Sequence, residues 1–377
     1  MRVCHVITKP ELGGAQLSTL NILSGLPKDK YKISVITSPK GLLASEFGNI
    51  DGVKFYACQF FLRNINPLYD IFALIHIYLI YRSYNYKIVH THSSKAGIIG
   101  RWAAWLARVP VIIHTVHGWS FNDYQPFILR KFFISLERIT ANFTAKVICV
   151  SKKDIEAGLK YKIAPEDKFV LINYGIPLEK FKRPAGDRWQ KRKELGISNN
   201  DPVVAMISCL KRQKSPIDYI KASMKIYENI PNVNFLLIGD GILKKRCQKA
   251  LSLLPLNGRF IFAGWRRDVS EILDIVDIVV LTSKWEGMPI ALIEALAKGC
   301  PVVATNVGGV ADLVKDGRTG YIVAAGAYEE VAERVLAMLR QNSLLSRMKR
   351  EASLSIDNSF SLEIMLKKIE FLYDNII

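Results

Sequence analysis

Asp277-Ile-Val-Val-Leu-Thr-Ser-Lys-Trp-Glu-Gly-Met-Pro-Ile-Ala-Leu-Ile-Glu-Ala-Leu-Ala-Lys-Gly-Cys-Pro-Val-Val-Ala-Thr305 reads as strand, loop, helix and strand. Asp277–Leu281 and Pro301–Ala304 are short runs rich in Val and Ile. Pro289 suits a first helical position, so the intervening helix is expected to start near Met288. The strands are apolar at successive positions, not alternate ones. That is the pattern of parallel strands with both faces covered. A strand, a helix and a parallel strand form one βαβ unit.

The same alternation extends in both directions. Upstream strands are expected at Val203–Ser208, Asn234–Ile238 and Arg259–Ala263, and one downstream at Tyr321–Val323. The N-terminal half gives Arg2–Thr8, Lys32–Thr37, Val53–Tyr56, Lys87–His92, Val111–Val116, Lys146–Val150 and Lys168–Ile172. Helical patterns such as Ala15–Leu26, Leu68–Tyr84, Lys95–Ala107 and Phe127–Asn142 lie between them. The pattern breaks once, at 173–200, where Gly175, Pro177, Pro184 and Gly186 accompany a run of charges. The expectation is therefore two doubly wound α/β domains, 1–172 and 201–355. They are joined by a linker at 173–200 with a short helix near Trp189–Leu195, and face each other across a cleft. Residues 356–377 are expected as a C-terminal helix packing back on the first domain.

Composition narrows the function. Half of the 377 residues are hydrophobic and 23% are charged, which excludes a disordered chain. Lys and Arg outnumber Asp and Glu by 52 to 34, for a net charge of +18, and the excess is larger in the first half. A basic surface suits nucleic acid, anionic lipid or a phosphorylated ligand. No zinc-finger spacing or aromatic RNP-like strand is present, so nucleic acid is not expected as a partner. The six cysteines form no C-x-x-C pair, which points to a reduced, cytoplasmic setting. The longest strongly apolar run, Ile71–Tyr81, is shorter than the roughly 20 residues a spanning helix needs. It reads either as a core helix or as a helix partly exposed to lipid headgroups. Met1–Thr8 reads as a strand and not as a signal peptide.

Four stretches can carry chemistry. In Glu286-Gly-Met-Pro-Ile-Ala-Leu-Ile-Glu294 both carboxylates can face the strand ends, where they accept hydrogen bonds from hydroxyls. Open amides at Gly287, Met288 and Ile290 suit a phosphate or a polar sugar edge. Lys211-Arg212-Gln213-Lys214 follows a strand, where Arg212 and Lys214 can meet a leaving diphosphate. Gly13-Gly14-Ala15-Gln16 opens a helix after the first strand and lets backbone approach a phosphate. It lacks the full G-x-G-x-x-G, and its bland reading is a tight turn. His114-Thr-Val-His117-Gly-Trp places His117 at a strand's C-terminal end. His90 and His92 share a strand face, but no H-E-x-x-H spacing or neighbouring carboxylate supports a metal site. No Asp-x-Asp occurs anywhere, so a metal-held diphosphate lacks its usual carboxylate pair.

Taken together, the ordered set resembles the family 4 ("group 1") retaining glycosyltransferases. It comprises Glu286-x7-Glu294, Ala297-Lys-Gly-Cys-Pro-Val-Val-Ala-Thr305, Gly308-Gly-Val-Ala-Asp312 and Asp316-Gly-Arg-Thr-Gly320. His92-Ser-Ser-Lys-Ala-Gly-Ile-Ile-Gly-Arg101 and His117-Gly-Trp-Ser-Phe121 are similar to the capsule and exopolysaccharide branch. The resemblance implies a GT-B fold of two Rossmann-like domains and a nucleotide-sugar donor, UDP by family weighting. It also implies metal-free transfer with retention to a saccharide acceptor, such as one linked to a polyprenyl diphosphate. The expected setting is the cytoplasm, at the inner face of the plasma membrane if the basic half meets anionic lipid.

By matching position, Glu286 would hold the donor sugar's hydroxyls, Glu294 the ribose hydroxyls and Lys214 the diphosphate. Gly13 and Gly14 would lie near the phosphate and acceptor. His117 would contact the transferred sugar, and the backbone near Arg266 the base. The family often has Gly-Arg-Leu just before the matching lysine. Here that stretch is Ser208-Cys209-Leu210, and Arg212 is the nearest substitute for the arginine. Two other readings stay open on this fold: a nucleotide-sugar epimerase or hydrolase, and a non-catalytic nucleotide-sugar-binding partner.

Overall fold

The structure, a computed structural model, describes residues 1–62, 64–256 and 258–376. Its strands are β1 (Arg2–Val6), β2 (Lys32–Thr37), β3 (Val53–Ala57), β4 (Ile88–His92), β5 (Val111–Val116), β6 (Lys146–Cys149) and β7 (Phe169–Leu171). They continue as β8 (Val203–Ile207), β9 (Asn234–Ile238), β10 (Phe260–Gly264), β11 (Ile278–Leu281), β12 (Val302–Thr305) and β13 (Gly320–Val323). Every strand expected from the sequence is present, with ends moved by at most two residues. All pairings are parallel.

The chain divides into two units. The first holds the sheet β3-β2-β1-β4-β5-β6-β7 and the second the sheet β10-β9-β8-β11-β12-β13. Each is a Rossmann-like doubly wound sheet. Its order reverses at β1/β4 in the first and at β8/β11 in the second, and ligands gather at the carboxyl ends of strands at such reversals. The strand interiors are closed to water, with Val3, Val35, Ile88 and Ile113 in the first sheet and Val204, Phe235, Val280 and Val303 in the second. That is why their sequences show continuous apolar runs and not alternation.

The 173–200 stretch is not a free linker. Residues 173–175 belong to the first unit and 176–200 to the second. Two short helices form there, Leu178–Lys182 and Arg188–Glu194. Leu178 and Phe181 are buried, the Lys180 carbonyl accepts from Ser270 Oγ at 2.8 Å, and the buried Arg192 guanidinium donates to the carbonyls of Ser198 and Asp201. Proline and charge density mark a break in the βα pattern. They do not reveal that the segment is anchored by contacts distant in sequence.

The C-terminal helix Leu362–Asp374 packs on the first unit. Met365, Ile369 and Tyr373 share a cluster with Leu23, Tyr31 and Val35. Lys30 bridges Glu370 and Asp374 at 2.7 and 2.6 Å.

Helix Pro67–Tyr84 has two apolar faces. Ala73, Ile77, Ile80 and Tyr81 are buried, whereas Leu68, Ile71, Phe72, Ile75 and Leu79 are exposed. The core-helix reading of Ile71–Tyr81 therefore holds for one face only, and the other face is exposed.

Candidate functional site

In the second unit the loops after β8 and β11 are laced together. Lys284 N donates to Gln213 O at 2.7 Å, and Gln213 Nε2 donates to Trp285 O at 2.9 Å. Thr282 Oγ1 donates to the Ser215 carbonyl at 2.9 Å. Ser215 is held in the left-handed region (φ 45°, ψ 53°) between the turn Arg212–Lys214 and helix Pro216–Asn229. A non-glycine residue keeps that conformation only when its surroundings enforce it.

The lacing brings Lys214 Nζ to 2.5 Å from Glu286 Oε1, and Ser283 Oγ donates to the same oxygen at 2.5 Å. Glu286 and Lys214 expose 5% and 19% of their side chains, so their charges are poorly screened. The pair can open to a ligand that has both phosphate and hydroxyl groups. Phosphate would take Lys214, and hydroxyls would donate to Glu286. Arg212, on the same turn, is exposed, and its guanidinium makes no hydrogen bond or ion pair among the described residues.

The helix after this loop is Ile290–Ala297, and Pro289 (ψ 105°) is its cap and not its first residue. The start is thus later than expected, because Pro289 keeps an extended ψ that lies outside the helical range. No side chain among the described residues makes a capping hydrogen bond at the start of this helix. Glu294 lies one turn in and is half-buried, with no side-chain partner among the described residues. Burial pushes its carboxyl up to about 7, partly offset by Lys180.

Gly308 and Gly309 close the loop from outside. Gly309 N donates to Gly287 O at 2.6 Å. Gly308 has φ +51°, and a Cβ there would stand 2.2 Å from the Glu286 carbonyl oxygen. The sequence offered this Gly-Gly pair only as part of an ordered motif. Its steric role, like those of Ser283 and Gln213, depends on loop packing that no local pattern encodes.

Arg266 follows β10. Its guanidinium binds Asp268 at 2.5 and 2.8 Å and Glu194 at 2.5 Å, while Lys191 joins Asp268 and Glu271. The side chain thus ties two helices together.

In the first unit Gly13 caps helix Gly14–Gly25 in extended conformation, again with no side-chain cap. Gln16 Nε2 donates to Lys9 O at 3.0 Å, so this side chain braces the loop after β1. At the β1/β4 reversal, Thr8 Oγ1 and Ser93 Oγ are 3.0 Å apart. Ser93 has φ 64° and ψ 158°, a region nearly confined to glycine, at the residue just after β4.

His117 lies just beyond β5. Its Nδ1 meets Tyr174 OH at 2.5 Å and its Nε2 meets His92 Nδ1 at 3.2 Å. Burial pushes the ring down to about 3, so it is neutral. The following loop is braced by a buried ion pair, in which Arg101 Nη2 meets Glu137 Oε2 at 2.6 Å and Ser120 Oγ donates to Glu137 Oε1. His5, His90 and His92 bring ring nitrogens within 4.8 Å of one another, the one such group of metal-type ligands among the described residues. Each of these rings is already hydrogen-bonded within the protein.

Residues 12–180 match the family described as "Glycosyltransferase Family 4", and residues 187–354 match "Glycosyl transferases group 1". The chain is 33% identical over 376 residues to the UDP-Gal:alpha-D-GlcNAc-diphosphoundecaprenol alpha-1,3-galactosyltransferase of Escherichia coli, covering 99% of this chain and 96% of that one. This chain belongs to the family 4 glycosyltransferases. The glycosyltransferase is also 25% identical over 319 residues to the capsular polysaccharide biosynthesis glycosyltransferase CapM of Staphylococcus aureus, covering 83% of each. Its fold matches that of Anabaena Alr3699/HepE, solved in complex with UDP-glucose, with a TM-score of 0.82 at 21% identity and 99% coverage of both chains. The two sheets of this glycosyltransferase are accordingly the two Rossmann-like domains of a GT-B fold.

Proposed function

We propose that this glycosyltransferase moves a sugar from a UDP-sugar to a saccharide carried on a polyprenyl diphosphate, in the synthesis of a bacterial surface polysaccharide. The observation that carries the reading is the Lys214–Glu286 pair at the β8/β11 reversal. The E. coli relative's name supports the donor and acceptor classes. Lys214 and Arg212 meet the diphosphate, together with amides at Gly287, Met288 and Ile290. Glu286 accepts from the sugar's hydroxyls, and Glu294 from the ribose hydroxyls. The backbone at Arg266 meets the base, Gly13 and Gly14 lie near phosphate and acceptor, and His117 touches the transferred sugar.

Transfer proceeds with retention and without a metal ion. The bond between the anomeric carbon and the phosphate oxygen breaks while the acceptor oxygen bonds the same face. The acceptor's proton passes to the leaving phosphate. The growing negative charge is met by Lys214, Arg212 and the helix-start amides. The absence of any Asp-x-Asp supports the metal-free reading.

Calorimetric titration of UDP, GDP and ADP in excess EDTA tests this. UDP binds, and its affinity rises with pH up to neutrality. The reason is that Glu294 holds its proton below about 7 and must lose it to accept ribose hydroxyls. The weakening reaches up to about tenfold per pH unit below that point. Glu294→Gln lowers UDP affinity and flattens the dependence. No nucleotide binding without metal, or an unchanged pH profile in Glu294→Gln, would refute the assignment.

The acceptor class implies work at a lipid surface. No helix among the described residues is long and apolar enough to cross a membrane. The first unit nevertheless exposes Ile71, Phe72 and Leu79 on one helix and Phe127, Ile128 and Phe132 on helix Phe127–Ala141, beside Arg130 and Lys131. Apolar side chains flanked by cations suit an anionic bilayer surface. Vesicles with a third of their lipid anionic are expected to float the protein at low salt. Binding should weaken at about 0.5 M NaCl, where the screening length is about 4 Å, and in Ile128→Glu. No flotation at low salt would remove the membrane from the proposal.

A further inference from the structure

Four histidines of the first unit, His5, His90, His92 and His117, lie on one hydrogen-bonded line. Tyr174 OH meets His117 Nδ1, and His117 Nε2 meets His92 Nδ1. His92 Nε2 meets His5 Nδ1 at 3.0 Å. His5 Nε2 meets Tyr373 OH at 3.3 Å, and that hydroxyl meets His90 Nδ1 at 2.6 Å. His90 Nε2 then meets Thr115 Oγ1 at 2.7 Å. Sheet register puts His5 opposite His90, and the C-terminal helix inserts Tyr373 between them. His5, His90, His92 and Tyr373 are fully buried. Burial pushes all four imidazoles far below their ordinary range, so each is neutral.

A neutral imidazole has one donor and one acceptor nitrogen, and a hydroxyl has one hydrogen to give. Each link of the line therefore needs one hydrogen. Only two arrangements satisfy every link. In one, Tyr174 donates to His117 and each ring carries hydrogen on Nε2, ending at Thr115. In the other, Thr115 donates to His90 and each ring carries hydrogen on Nδ1, ending at Tyr174. A single ring of the opposite tautomer leaves one link with two hydrogens and another with none, which a dry interior penalises. The facing lone pairs are thereby used, so the line does not read as a cation site.

We propose that His117, His92, His5, Tyr373 and His90 act as a two-state relay that fixes which nitrogen of His117 carries hydrogen. The relay thus determines whether His117 offers a sugar hydroxyl a donor or an acceptor. This rests on the proposed contact of His117 with the donor sugar. His92, His5, Tyr373 and His90 are positioning residues, and none of them needs to touch substrate. A ligand can engage His117 through the nitrogen that Tyr174 now occupies, and the relay's direction sets that nitrogen's character.

The test is long-range proton–nitrogen NMR on the full chain labelled at histidine, which reads each ring's tautomer directly. In the unsubstituted chain the four rings share one tautomer. Thr115→Val removes the partner of His90 Nε2. A buried N–H without an acceptor costs more than an acceptor without a donor, so all four rings carry hydrogen on Nδ1. Tyr174→Phe acts at the other end and sets all four to Nε2. Tyr373→Phe cuts the line, leaving His90 with hydrogen on Nε2 and the other three with hydrogen on Nδ1. Mixed tautomers in the unsubstituted chain, or the same pattern in both end variants, overturn the relay. The contact with sugar is read separately. His117→Gln should lower kcat about tenfold or more, as loss of a hydrogen bond to the reacting group does. Unchanged kcat and KM there would overturn the role of His117 while leaving the tautomer result intact.

Discussion

Lys214→Ala is expected to lower kcat by about 10²–10³-fold, the cost of removing one preorganised charge from a water-poor site. The lysine sits at the carboxyl end of the sheet reversal and keeps four-fifths of its side chain from solvent. Charge on a leaving diphosphate grows as its bond to the sugar breaks, so a fixed cation stabilises the transition state more than the ground state. The loss should therefore fall mainly on kcat. Glu286→Gln should be similarly damaging, since Glu286 Oε1 accepts from both Lys214 and Ser283. Because the two residues share one contact, the double variant should lose far less than the product of the single losses. Retained far-UV circular dichroism and an unchanged melting profile would show that the variants fold. Near-normal turnover in both would move the site elsewhere. Arg212→Ala on the same turn asks whether Arg212 compensates for Cys209. A loss of about tenfold, the scale of one charge-assisted hydrogen bond, says that it does.

The strands were legible because both sheets are parallel and covered on each face, so that runs such as Val203–Met206 and Val302–Ala304 leave no ambiguity. The residues of the second-unit site were legible because Lys214, Glu286 and Glu294 lie in two short segments, each next to a strand end. What stayed hidden depends on contacts between distant segments. Leu178–Lys182 and Arg188–Glu194 look like linker until their anchors are visible. His5, His90, His92, His117 and Tyr373 span nearly the whole chain and meet only through the β1-β4-β5 order and the last helix. The strain at Ser93 and Ser215 has no sequence signal either, since serine at both positions reads as an ordinary cap.

Gly308→Ala is expected to lower kcat/KM at least about hundredfold, on the scale set by a 1 Å misplacement of catalytic groups. Two separate costs act at this position. The first is conformational, since φ is +51° and an L side chain is disfavoured there. The second is steric, since the new Cβ would lie 2.2 Å from the Glu286 carbonyl oxygen and 2.7 Å from that of Gly287. Those are backbone atoms, which cannot rotate aside as a long side chain would. Relief requires the Glu286–Gly287 loop to move, and its bond from Gly309 N to Gly287 O would have to stretch or break. The same movement would draw the Glu286 carboxylate away from Lys214 and Ser283. Gly317→Ala is the matching control, because its φ is +72° but nothing lies within 4 Å of its Cβ. It carries the conformational cost of about 1 kcal/mol and no steric one. Gly317→Ala should therefore melt slightly earlier and keep its activity, whereas Gly308→Ala should lose activity out of proportion to its stability. Equal losses in the two variants would mean that backbone strain alone is at work, and that Gly308 does not set the position of Glu286.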